Sequence, residues 1–129
     1  MRGQLNDLIK GFAEERGFGF ASDIIPTGLL NEKYPCIYLV APNATYSNAG
    51  RWTYAATFYL VAPKGKKQNA SAILDDLQQL SRDLFLFLQK MCDFYTDSTM
   101  IVRPKAELDN SGAVALEMTL NIYESDGCR

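Results

Sequence analysis

The chain has 129 residues, a length that one domain accounts for and that can close a single core without disulfides or metal. An apolar share of 47% with 12% aromatics excludes disorder, and a net charge of −2 gives no electrostatic case for nucleic acid as the main ligand. Histidine is absent, which excludes acid–base or triad catalysis that depends on it.

Leu5, Leu8, Ile9 and Phe12 recur at helical spacing, so residues 6–16 are predicted to form a short amphipathic helix that ends at a left-handed Gly17. Residues 18–35 are apolar but repeatedly punctuated by Gly and Pro. They read as a packed connection with room for a short strand. Residues 36–41 are too apolar to alternate cleanly, as expected of a strand covered on both faces. Residues 42–51 follow as a polar loop rich in Asn, Ser and Gly. A long strand is predicted over residues 52–62, with Trp52, Tyr54, Phe58 and Leu60 on one face and Thr53, Thr57, Tyr59 and Val61 on the other. Pro63 stops it, and Lys64, Lys66 and Lys67 make a basic turn.

The longest element is a helix predicted over residues 71–95. Ile73, Leu77, Leu80, Leu84, Leu88 and Met91 form its apolar stripe, Asn69 or Ser71 caps its start, and Asp75 and Asp76 suit the positive end of its dipole. Strands are predicted at residues 100–103 and 113–124, joined by a turn at 109–112. In the last strand, Val114, Leu116, Met118, Leu120 and Ile122 alternate with Ala115, Glu117, Thr119 and Asn121. The fold class is therefore α+β, in the order α-β-β-α-β-β. An antiparallel sheet of four or more strands carries the long helix across one face, with a short N-terminal helix, in a single domain spanning residues 1–129.

The sequence offers little chemistry. Cys36, Cys92 and Cys128 are an odd, widely spaced set without a CxxC motif. The first two are expected to be reduced, buried thiols of a cytosolic protein, and Cys128 to be incidental. Asp93 with Asp97, or Glu107 with Asp109, could in principle face one metal ion, but each pair reads first as solvated acid flanking a turn. Asn43-Ala44-Thr45 and Asn69-Ala70-Ser71 match the glycosylation pattern, but the N-terminus has no secretory signal to route them. No apolar run reaches the length of a membrane span. Trp52, Tyr54 and Tyr59 invite comparison with a base-stacking sheet, but no basic face accompanies them. No enzyme activity, metal or cofactor is expected.

What remains is apolar excess. At roughly 100° per residue, Leu86 falls in the middle of the polar face of the long helix, with Phe85 and Leu74 at its margin. In a chain this small, a second packed surface points to another subunit.

The order of elements resembles that of the tail-terminator and tail-completion proteins of tailed-bacteriophage necks. The likeness runs through the N-terminal helix, the strand Tyr34-Pro35-Cys36-Ile37-Tyr38-Leu39, the long strand at 52–62, the Leu- and Gln-rich helix at 71–91, and a final hairpin ending at 116–123. The resemblance implies a non-enzymatic subunit that forms a homo-oligomeric ring at the head–tail junction. Such a ring ends the tail tube or joins neighbouring neck and tail rings, and passes DNA without sequence-specific binding. It implies a place in the virion, after assembly in the bacterial cytoplasm and away from membranes. It also implies that loop 42–51, with Tyr46 and Arg51, and the turn bearing Lys64, Lys66 and Lys67 project towards adjacent rings. Trp52, Phe85 and Leu86 complete the candidate interface. The competing reading is a small cytosolic host module with a binding pocket between helix and sheet.

Overall fold

The computed structural model describes residues 2–24, 35–40, 42–46, 50–63, 69–91, 94–104 and 113–124. Helix α1 spans Arg2–Glu15, and its Leu5, Ile9, Phe12 and Ala13 are buried. Gly17 terminates it at φ 73°. The Phe18 amide reaches back to the Ala13 carbonyl at 2.9 Å, and the Gly17 amide to Glu14 at 3.1 Å. This pair of bonds is the left-handed closure that a glycine past the helix end permits.

Among the described residues seven strands follow in one sheet: β1 (Gly19–Ile24), β2 (Cys36–Val40), β3 (Asn43–Tyr46), β4 (Trp52–Pro63), β5 (Phe94–Thr96), β6 (Ile101–Pro104) and β7 (Ala113–Glu124). Helix α2 (Ala70–Gln89) lies between β4 and β5 in the chain. The spatial order is β1-β2-β4-β7-β5, with β3 extending the β2 side of β4 and β6 the β5 side of β7. The sheet is mixed and not wholly antiparallel, because β1 pairs in parallel with β2. Strand β1 lies within residues 18–35, where the sequence leaves room for a short strand but does not set its direction. Parallel neighbours require a longer connection than a hairpin turn.

Two further strands lie where the sequence shows none. The loop predicted over 42–51 contains β3, which pairs with the start of β4 from Asn43↔Ala55 to Tyr46↔Trp52. Between Leu39↔Phe58 and Asn43↔Ala55 the chain advances one residue more than β4 does, so β2 and β3 are one strand interrupted by a bulge. Pro42, which has no N–H to give a ladder, sits in that interruption. The long helix, predicted to reach residue 95, ends at Gln89, with Lys90 as its cap. Phe94, Tyr95 and Thr96 instead pair with the end of β7 as β5. An aromatic and β-branched triplet gains a ladder and a half-buried surface there, which outweighs helical continuation. Asp75 and Asp76 fall beyond the first turn of α2, which carries no acid. The N-cap is Asn69, whose side-chain oxygen accepts from the Ser71 amide at 2.9 Å. One of the two glycosylation-pattern asparagines thus has a structural use.

The core lies between the helices and one face of the sheet. Leu77, Leu80, Leu84 and Leu88 of α2 meet Ile37 and Leu39 of β2, Tyr54, Ala56, Phe58 and Leu60 of β4, and Val114, Leu116, Met118, Leu120 and Ile122 of β7. The register makes this a continuous apolar surface, since Phe58 pairs with Met118 and Leu60 with Leu116 on the same side. Ser81 is also fully buried in α2, where its hydroxyl donates to the Gln78 carbonyl at 2.6 Å. The other face of the sheet divides in two. Near β1 and β2 it is apolar and buried through Tyr38, Tyr59, Val61 and Ala115. Towards β3 and β5 it carries Thr53, Thr57, Thr119, Asn121 and Tyr123 and is more open.

Candidate interaction surface

The β4–β7 pair runs from Pro63↔Ala113 at one end of the sheet to Thr53↔Tyr123 at the other. The second end, beside the hairpin turn between β3 and β4, gathers exposed aromatic side chains. Tyr46 and Trp52 pair across β3 and β4, with ring centroids 4.9 Å apart and planes tilted by 54°. Alternation along β4 puts both on the helix-bearing side, past the buried Tyr54. Gly50, at φ 78°, turns the chain between them, and a Cβ there would meet the Tyr46 hydroxyl at 3.4 Å. Tyr46 is 59% exposed and Trp52 40%, so the pair presents aromatic surface to solvent at this turn.

A second aromatic pair occupies the opposite face of the same end. Tyr95 of β5 stacks on Tyr123 of β7, with centroids 4.9 Å apart and planes only 13° from parallel. Between β5 and β6 the chain advances two residues more than β7 does, from Thr96↔Ile122 to Ile101↔Thr119. Asp97 pins this bulge. Its carboxylate accepts from the Asn121 amide at 2.9 Å and from the Tyr123 hydroxyl at 2.6 Å, while its own N–H reaches the Asn121 carbonyl at 3.4 Å. The hydrogen bond to Asp97 raises the Tyr123 phenol above its ordinary value of 10.0, with partial burial and the Asp97 charge adding in the same direction. Asp97 is therefore engaged in holding the strand. Asp93, Glu107 and Asp109 lie outside the described residues.

The remaining candidates are dispersed. Leu86 is 40% exposed on the outer side of α2, and Phe85 is half-buried against the core. Arg51 is half-buried at the hairpin turn beside Trp52. Lys64, Lys66 and Lys67 lie outside the described residues. The structure thus joins Tyr46, Arg51 and Trp52 at one turn and places Phe85 and Leu86 together on α2. Tyr54 and Tyr59 are both buried and on opposite faces of β4, so no stacking platform with Trp52 exists. Sequence reading misses the Tyr95–Tyr123 pair. Tyr123 is legible from the alternation of β7, but its partner falls within the predicted helix.

Two other features bear on chemistry. A cavity of about 550 Å³ opens where the end of α1 meets α2 and the end of β4. Among the described residues Phe18, Pro35, Ile73, Leu77 and Leu80 form its apolar wall, with Arg16, Asp76 and Asp83 alongside. Arg16 lies 3.9 Å over the Phe12 ring, and the Phe12 and Phe87 ring centroids are 5.1 Å apart. On the open sheet face, Glu117 is buried and paired to Arg103 at 2.7 Å. Among the described residues no three His, Cys, Asp or Glu side chains gather as a metal site, and no helix is long and apolar enough to cross a membrane. Cys36 is half-buried, its thiol directed at the Ile37 carbonyl at 3.7 Å, and Cys92 and Cys128 lie outside the described residues.

No protein-family model matches the chain, and no curated protein matches its sequence.

Proposed function

We propose that this chain is a non-enzymatic structural subunit of a tailed-bacteriophage neck or tail, closing into a ring at the head–tail junction. The ring ends the tail tube or joins adjacent rings, and DNA passes through it without sequence-specific contact. The observation that carries the reading is the separation of exposed apolar groups. One set crowns the hairpin end of the sheet, and Leu86 stands apart on the outer side of α2. Two patches that differ in shape and position allow a head-to-tail arrangement, in which one patch of each subunit meets the other patch of the next. Such heterologous contacts close into a ring where the rotation between subunits divides a full turn, and open into a filament where it does not. A net charge of −2 suits a channel that passes DNA without holding it.

Light scattering after size-exclusion chromatography, with negative-stain imaging, tests this reading. A closed oligomer, alone or with neck proteins, is the expected result. Trp52→Glu and Leu86→Glu should fold as the parent does yet weaken assembly, since a carboxylate buried at a contact is costly while an exposed one is nearly neutral. A parent that stays monomeric at high concentration and with neck proteins overturns the ring.

The cavity beside Phe18 and Leu77 favours one alternative, a small binding module that holds an apolar ligand between helix and sheet. A monomer whose melting temperature rises with such a ligand, and whose Leu77→Trp variant loses that rise, would support the module over the ring.

A further inference from the structure

The cavity of about 550 Å³ where α1, α2 and the end of β4 meet has two chemical halves. Its volume falls in the range of about 300–1,000 Å³ that small-molecule sites occupy. The apolar half has Leu77 and Leu80 at its base, both buried, and Phe18 and Ile73 at its sides, both half-buried. A ligand entering the cavity therefore meets apolar surface that the fold itself leaves partly uncovered.

The polar half is a rim along α2. Steps of three and four put Ile73, Asp76, Leu77, Leu80 and Asp83 on one side of the helix, so two carboxylates stand beside the apolar wall, two turns apart. Among the described residues neither of these side chains makes a hydrogen bond or an ion pair. Asp83 is half-buried, so water screens its charge less than that of the exposed Asp76. The cation among the described lining residues is Arg16, and it is already engaged at its own end of α1. It lies 3.9 Å over the Phe12 ring and 4.0 Å from the Glu15 carboxylate.

The sign of the rim selects the ligand. An anion with an apolar tail would bring its charge towards two carboxylates, and like charges brought together repel. A neutral molecule fills the apolar half but displaces water from Asp83 without replacing its hydrogen bonds. An ammonium supplies both the opposite charge and the donors. We propose that this cavity binds an amphipathic cation, its apolar body against Phe18, Ile73 and Leu77 and its ammonium paired to Asp83. Asp76 adds to the field that favours a cation over an anion. The inference rests on the reading of this cavity as a binding site and names the ligand class; it applies to a ring subunit as well as to a monomer.

The test titrates the parent near neutral pH with phenylbutylamine, phenylbutanol and phenylbutyrate, which share one apolar body and differ in charge. Calorimetry reads affinity, and heteronuclear NMR reads location through the resonances of Phe18 and Ile73. The amine should bind about fivefold or more tighter than the alcohol, with the acid weakest, as expected for one partly buried ion pair. Asp83→Asn should bring the amine down to the affinity of the alcohol and leave the alcohol unchanged, whereas Asp83→Glu should keep the preference. Ile73→Trp, at a half-buried position, should fill the apolar half and weaken all three probes while circular dichroism stays parental. Acid binding as tight as the amine, or an amine preference that survives Asp83→Asn, overturns the cationic class while the cavity stands as a site. An amine preference that appears only when Lys64, Lys66 and Lys67 are all changed to Ser gives Asp83 to the chain's own lysines and overturns an external cation. A parent that binds none of the three overturns the site and its ligand class together.

Discussion

Truncating Leu84 and Leu86 separately sets the core of this protein against its surface on a single helix. Leu84 is 0% exposed and Leu86 is 40% exposed, two residues further along α2. Leu84→Ala removes a buried branched chain down to a methyl group. At about 0.8 kcal/mol per buried CH₂ the transfer loss is about 2.5 kcal/mol. The cavity left between α2 and the sheet brings the total to about 3–4 kcal/mol, within the range of about 2–5 kcal/mol typical of such changes. Leu86→Ala forfeits only part of that transfer energy, and water fills the space, so its cost is about 1 kcal/mol or less. Urea denaturation followed by far-ultraviolet circular dichroism, at low protein concentration, measures both. In thermal scans Leu84→Ala should melt roughly 10–15 °C below the parent, given a few degrees per kcal/mol at this chain length. A Leu84→Ala cost below about 1 kcal/mol, or a Leu86→Ala cost equal to it at low concentration, would refute the packing described for α2. If the Leu86→Ala deficit grows as protein concentration rises, the side chain is buried by association, which ties this measurement to the ring reading.

Gly17→Ala should cost about 1 kcal/mol in the same assay, because a side chain at φ 73° is strained although no atom lies within 4 Å of its Cβ. Equal stability would mean that α1 closes differently. Asn69→Ala should cost about 1 kcal/mol through loss of the α2 cap, and Asn69→Ser should restore most of it. A serine variant no better than alanine would refute the capping role. The raised titration of Tyr123 means that the folded state holds the phenol proton more tightly than the unfolded chain does. That contribution is complete below pH 10.0 and is lost as pH rises through the folded value. Tyr123→Phe should therefore flatten part of the alkaline fall in stability, and Asp97→Asn should bring the tyrosinate absorbance transition back towards its ordinary position. Urea midpoints and absorbance titration read these outcomes, and an unchanged alkaline slope in Tyr123→Phe would contradict the Asp97 contact.

Local pattern determined much of this molecule. The period of α2's leucines named its buried face, and the alternation from Val114 to Ile122 named the core side of β7, because each regular element repeats its side-chain direction within a few residues. Gly17 as a helix terminator and Leu86 as an exposed apolar residue were legible for the same reason. Three things were decided only by the tertiary structure. Strand β1 exists because β2 offers it an edge in parallel, a partner sixteen to seventeen residues away along the chain that no local period reports. Asn43 to Tyr46 became strand because β4 extends beyond β2 and leaves carbonyls and amides to be paired. Phe94 to Thr96 left the helix because the end of β7 stood open beside them. Backbone groups must find partners, and a long central strand settles that need for whatever chain lies alongside it. The aromatic end of the sheet follows from those pairings, since Tyr95 reaches Tyr123, and Tyr46 reaches Trp52, only once β5 has taken its register on β7 and β3 on β4.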